Sequence, residues 1–155
     1  MTYLERITYL TGRFLEVFQY ALYNAYRVAT FYDGIAHLSF QTNTEENILA
    51  LESQSKSRLV ESQSKSREEL EKDLLSHGLS VKEEKDLHAL LLKRDYLVSY
   101  FFLDSAADLA REDPKVYENK IDELQEYVDQ AIDLNTRLSK SLDKTLERDY
   151  RHYGK

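Results

Sequence analysis

The chain has 155 residues, of which 42% are hydrophobic and 32% charged, and its formal net charge is −7. Four glycines, one proline and no cysteine predict a few long helices without strands, and they exclude disulfides and thiolate zinc sites. The excess of acids opposes sequence-independent binding to nucleic acid. Neither a basic leader nor an apolar run of about 18 residues occurs, so we expect a cytoplasmic protein without a membrane span.

The first predicted helix extends from Thr2 to about Phe40. Its apolar residues follow a heptad and form a stripe wider than a two-helix seam requires, so we expect the helix to be covered on two sides. Gly34 weakens the helix locally and predicts a bend or an end nearby. The main rows are Ile7, Phe14, Ala21, Val28 and Ile35, and Leu10, Val17, Asn24, Phe31 and Leu38, with adjacent rows at Leu15, Leu22, Ala29 and Ala36, and at Phe18, Ala25 and Tyr32.

A second helix is predicted from about Asn43, where Thr42 and Glu45 form a capping box. Its middle contains a tandem repeat, because Glu-Ser-Gln-Ser-Lys-Ser-Arg occurs at residues 52–58 and again at 61–67. A shift of nine residues turns a helix by about 900°, so one helix cannot pack both copies alike. The serine-rich composition predicts a solvated or mobile insertion around residues 52–69. A partner-binding or modification site is the alternative.

Ordered structure is expected to resume at Leu70. Gly78 then supplies the positive φ that a helix stop requires, and Ser80 begins a second capping box with Glu83. A third helix is predicted from there to about Glu112. Its expected core residues are Leu87, Leu90, Leu91, Leu97, Val98, Phe101 and Phe102.

The fourth predicted helix begins at Pro114 and ends near Tyr150. Its heptad row consists of Ile121, Leu124, Val128, Ala131, Asn135, Leu138 and Leu142. We therefore expect an all-α fold in which residues 1–155 form one domain, a four-helix up-and-down bundle that pairs into a homodimer. Asn24 and Asn135 lie on seam positions, where a polar side chain either fixes register or oligomeric state or is satisfied locally as a core amide.

Residues 91–102, Leu-Leu-Lys-Arg-Asp-Tyr-Leu-Val-Ser-Tyr-Phe-Phe, place a charged pair within an apolar helix. The segment resembles the signature of the HEPN superfamily, in particular a bacterial branch that has Arg-Asn-Tyr-Leu-Ala-His followed by two aromatic residues. Arg94, Asp95 and Tyr96 match the first three positions of that signature. Ser99 occupies the position of the histidine. Residues 12–19 give a weaker similarity to the first helix of that branch.

The resemblance implies a dimer in which arginine and histidine line an RNA-cleaving cleft. Serine does not replace histidine as a base near neutral pH, so a catalytically silent scaffold is the better interpretation. The alternative interpretation is that Arg94 has a structural role, in which its aliphatic stem packs in the core while its guanidinium reaches an acid or water. Neither a metal nor another cofactor is expected, since the ligand pairs of a di-iron bundle are missing.

Two classes of function remain. The first is a non-enzymatic interaction protein, an acidic helical dimer that regulates or inhibits a protein partner, as in bacterial or phage systems. The second is a HEPN-like ribonuclease or toxin with a substituted active site, and only this alternative predicts an RNA partner.

Overall fold

The computed structural model describes the backbone of residues 1–38, 44–111 and 113–153, and the side chains of 1–34, 44–111 and 113–144. Within these ranges the chain is all-helical and contains no strand. The six helices are α1 (Tyr3–Leu38), α2 (Glu45–Ser62), α3 (Arg67–Leu74), α4 (Val81–Ser99), α5 (Phe101–Ala110) and α6 (Pro114–Tyr153). The predicted capping residue Thr42 lies outside the described residues, and Thr44 caps α2 by accepting from the Asn47 backbone N–H at 3.2 Å.

Helix α1 is the central element, and α2, α3, α4 and α6 pack around it, α6 most extensively, whereas α5 packs against α4 and α6. The described residues of its two main rows are buried, with Asn24 half-buried between them. The helix continues past Gly34 to Leu38, close to the predicted end at about Phe40, and it does not end at this glycine. A Cβ at Gly34 would lie 2.8 Å from Leu51 Cδ2, so the absence of a side chain at this position allows Leu51 of α2 to pack closely against α1. The predicted core side chains of Ile35, Ala36 and Leu38 lie outside the described side chains.

Helices α1 and α6 run parallel to each other. Tyr3 stacks on Tyr117 at 5.5 Å between ring centroids, and Phe14 contacts Tyr127 edge-on at 6.0 Å, one pair following the other in the same direction along both helices. In an up-and-down bundle of four helices, the first and last helices are antiparallel neighbours. The predicted up-and-down order therefore does not describe this chain.

The short helix α3 explains the difference. Helix α2 runs antiparallel to α1, and α3 reverses the direction of the chain again. Asp73 near the end of α3 therefore accepts a hydrogen bond from the Tyr26 hydroxyl of α1 at 3.2 Å. Leu70 and Leu74 are fully buried and hold α3 against the core. After Gly78 (φ +97°), α4 runs antiparallel to α6. The sequence predicts four helices because α3 is too short to show a clear period.

Most side chains of the serine-rich repeat are exposed, but the repeat is part of α2 and of the turn to α3, and each copy contains one buried serine. Its first copy lies within α2, where Ser55 is fully buried and donates to the Leu51 carbonyl oxygen at 2.8 Å. The second copy ends α2 and forms the turn to α3, where Ser62 is buried and Ser66 caps α3. The equivalent of Ser55 in the second copy, Ser64, is exposed. The two copies pack differently, as their nine-residue offset predicts.

The third predicted helix is interrupted at Tyr100, which has φ −130° and ψ −23°. Helix α4 ends at Ser99 and α5 begins at Phe101, whose side chain is 1% exposed. The break turns Phe101 into the core and leaves two predicted core residues, Val98 and Phe102, exposed. The predicted capping box of Ser80 and Glu83 at the start of α4 is confirmed.

Candidate functional site

The contacts of the Arg94 side chain are with the next residue of its helix and with an aromatic ring of α1. Its Nη2 and Nε donate to Asp95 Oδ1 at 2.7 and 3.1 Å, and its guanidinium lies 5.8 Å from the centre of the Phe18 ring on α1. The side chain is 22% exposed, and its partner is the adjacent carboxylate in the same chain. The cation–π contact stabilises the packing of α4 on α1, whereas the charge pair with Asp95 lies within α4.

The remaining residues of the HEPN-like segment do not join Arg94 in a catalytic cluster. Tyr96 packs edge-on against Phe101 at 6.0 Å between ring centroids, and Ser99 is exposed at the last position of α4. His88 on the same helix is hydrogen-bonded to Glu71 of α3, which directs it away from that segment. The structure therefore brings no histidine to Arg94 among the described side chains.

Asn24 and Asn135 meet within one chain, in a polar network between α1, α2 and α6. Asn24 Nδ2 donates to Asn135 Oδ1 at 2.6 Å, and Arg27 Nη1 donates to Asn24 Oδ1 at 3.0 Å. The Arg27 guanidinium also binds both carboxylate oxygens of Glu52. Tyr23 donates to Glu52 at 3.0 Å, and burial, followed by this hydrogen bond, raises the pKa of its hydroxyl. The network is satisfied internally.

A cleft of about 490 Å³ separates α4 from α6. Its two bases are already engaged, because Arg137 pairs with Asp86 and Asp133, and Lys93 bonds Gln130 and lies over the Tyr127 ring. Since both bases are engaged by the walls, the cleft does not present a free cation to an anionic ligand, and Glu126 and Asp129 in its lining accept hydrogen bonds from glutamine amides without an ion pair. The side-chain contacts in its walls link α4 to α6.

The exposed side of α5 is apolar. Phe102 is 43% exposed and Leu103 is 74% exposed. Leu103 begins a stripe at spacings of i, i+3, i+4 and i+7, the spacing of one helix face. All members of the stripe are exposed: Leu103, Ala106, Ala107 and Ala110. We call this stripe together with Phe102 the α5 face.

The opposite side of α5 anchors it to the body of the protein. Phe101 and Ser105 are buried, Lys120 of α6 lies over the Phe101 ring at 5.7 Å, and Tyr117 donates to the Leu109 carbonyl oxygen at 2.6 Å. The α5 face therefore belongs to a helix whose other side is packed against the body of the protein. Sequence reasoning missed it because a continuous third helix would direct these residues differently. The apolar run from Phe101 to Ala110, with only two charges, is the signal that marks it.

Across the described part of the chain, no group of three or more His, Asp or Glu side chains could hold a metal ion. No helix in the same ranges has the length and apolar character needed to cross a membrane. In the described part of the chain, the structure is thus an all-helical protein with hydrogen-bonded polar networks between its helices. One side of α5 is packed against the core and the other side is an exposed apolar face. Comparisons with protein-family models, curated proteins and solved structures find no match.

Proposed function

We propose that this protein is a non-enzymatic protein-interaction module, a regulator or inhibitor that docks a protein partner on the α5 face. The observation that carries the proposal is the apolar stripe beginning at Leu103, which stays exposed although Phe101, on the opposite side of the same helix, is fully packed. Contiguous exposed apolar surface on a folded chain is typical of interaction sites. Val98 and Tyr100, exposed beside the break that precedes α5, extend the apolar surface at this end of the molecule.

The arrangement around Arg94 supports a non-enzymatic function. Metal-free RNA cleavage requires a group that accepts the 2′-hydroxyl proton near neutral pH, and no histidine lies beside this arginine among the described side chains. The guanidinium is also bound by Asp95, which competes with phosphate for the same donors. A catalytically silent HEPN-like scaffold is compatible with this arrangement. The HEPN-like ribonuclease is the alternative function, and it is less well supported.

A partner of a different sequence fits better than a homodimer. The width of the α1 stripe predicts a homodimer, but in the structure this stripe is covered by other helices of the same chain. Asn24 and Asn135, the two candidate residues for oligomeric register, are likewise satisfied by each other. The features that favour a second copy are thus used within one chain.

Photo-crosslinking tests the proposal directly. A benzophenone amino acid is placed at position 103 and, as a matched control, at position 49, because Leu49 is a leucine of α2 that is 62% exposed. We expect a discrete protein adduct from position 103 in the source cells and none from position 49. Equal labelling from both positions, or none from either, would contradict a docking role of the α5 face.

A further inference from the structure

The α5 face has a charged border on one edge only. At about 100° per residue, the stripe that begins at Leu103 covers one side of α5, and Asp104 and Asp108 follow at about 100° and 140° from Leu103. Phe102 lies beyond the other edge of the stripe. The face is therefore an apolar surface with an acidic edge and an aromatic edge.

The two acids of this edge are available to a partner. Asp104 is exposed and Asp108 half-buried, and neither forms an ion pair with any side chain in the described ranges. Helix α5 contains no Lys or Arg, and Arg111, the C-cap residue that follows on the same edge, forms no ion pair with either acid. Their spacing of four residues places them on adjacent turns, so they face outward together.

We infer that the α5 face binds an amphipathic helix of a partner protein whose apolar stripe is bordered on one edge by Lys or Arg residues three or four positions apart. This inference rests on the proposed function and adds the chemistry of the partner. The apolar stripes supply the contact area, and the alanines of the α5 face let the two backbones approach closely. The basic edge of the partner meets Asp104 and Asp108, which sets its orientation and favours it over acidic helices.

The same charges disfavour two other occupants. A second copy would bring an identical acidic edge, a net charge of −7 and no base on its own α5. An anionic membrane surface would repel Asp104 and Asp108, whereas helices that lie on such membranes carry Lys and Arg on their polar face. A basic amphipathic helix is the occupant whose charge complements the edge.

The experiment uses three fluorescent peptides of about 18 residues with one helical design. The first has a Leu/Ala stripe with two Lys on one edge, the second has Glu in place of these Lys, and the third has the Lys but Ser in the stripe. Binding to the full chain is followed by fluorescence anisotropy at low and high salt. We expect the first peptide to bind about 5- to 20-fold more tightly than the second at low salt, with the difference shrinking at high salt.

Two variants assign the effect to the α5 face. Asp104→Asn combined with Asp108→Asn should reduce the preference for the basic peptide to about 2-fold or less. Leu103→Glu should abolish binding, whereas the matched control Leu49→Glu should leave it unchanged. Both leucines are largely exposed, so circular dichroism is expected to show folded protein in each case.

Each other result overturns the inference in a recognisable way. If the acidic peptide binds as tightly as the basic one and Leu103→Glu abolishes both, the charge preference is wrong and the proposed docking function stands. If light scattering shows a dimer that Leu103→Glu dissociates, the occupant is a second copy. If the chain sediments with anionic vesicles through Leu103, the occupant is a membrane. Absence of all these interactions contradicts the proposed function as well.

Discussion

Asn24 on α1 donates a hydrogen bond from Nδ2 to Oδ1 of Asn135 on α6, and the two atoms lie 2.6 Å apart. The pair joins positions 111 residues apart in the sequence and lies in the seam between two parallel helices. Because an amide placed one turn higher or lower would face apolar side chains, this contact favours one register of α1 against α6. Arg27 extends the contact to Glu52 and hence to α2.

Asn135→Ala is expected to lower the free energy of unfolding by about 1–2 kcal/mol, because Asn24 then loses its partner in a half-buried seam. Asn119→Ala is the matched control, since Asn119 is an exposed asparagine on the same helix and should change stability by less than about 0.5 kcal/mol. Urea denaturation measures both values. A double-mutant cycle with Asn24→Ala should give a coupling above about 0.5 kcal/mol, and additive effects would refute the contact.

The serine repeat offers two substitutions in identical local sequence. Ser55→Glu places a carboxylate where the native side chain is fully buried, and it should cost about 2–4 kcal/mol. Ser64→Glu introduces the same group between the same neighbours on an exposed surface and should cost less than about 0.5 kcal/mol. Thermal unfolding followed by circular dichroism distinguishes them. Equal effects would mean that the repeat is solvated throughout.

Arg94→Ala is expected to lower stability by about 1 kcal/mol through loss of its contacts with Asp95 and Phe18. Arg13→Ala, which removes a more exposed pair with Glu16, is the control and should be nearly neutral. Incubation with labelled single-stranded RNA should leave the substrate intact with both the native chain and the variant. Cleavage by the native chain that Arg94→Ala removes would instead favour the ribonuclease alternative.

Alkaline pH should destabilise the fold partly through Tyr26. Burial, with additional effects of the neighbouring Asp73, raises the pKa of this tyrosine above its ordinary value near 10. The folded chain therefore holds the Tyr26 proton more tightly than the unfolded chain does, so this contribution is present below pH 10 and decreases as the pH rises above it.

Tyr26→Phe should consequently lose less stability between pH 9 and pH 11 than the native protein loses. The hydrogen bond to Asp73 is absent in this variant, so its stability at pH 8 should be lower by about 1 kcal/mol. Tyr20→Phe serves as the control, because Tyr20 is 57% exposed. Urea denaturation at each pH tests the prediction, and a parallel pH dependence of native protein and Tyr26→Phe would contradict it.

Much of the local structure could be predicted from the sequence. The heptad rows of α1 and α6 identify their buried residues, such as Phe14 and Leu124, because apolar periodicity reflects the face that a helix must cover. Gly78 has the predicted positive φ, and Ser80 caps α4 as expected. The break at Tyr100 was not predictable from period alone, because the apolar pattern continues from Leu97 before it to Phe101 after it.

The sequence by itself determined that this protein is helical, where its longest helices lie and which of their faces are buried, because these properties depend on neighbours three to seven residues apart. Only the tertiary structure decided that α3 reverses the chain, that α1 and α6 are parallel, and that Asn24 meets Asn135. It also decided that Leu103 is exposed while Phe101 is covered. Contacts between distant segments are set by how all the helices share one core, and no local pattern encodes that competition.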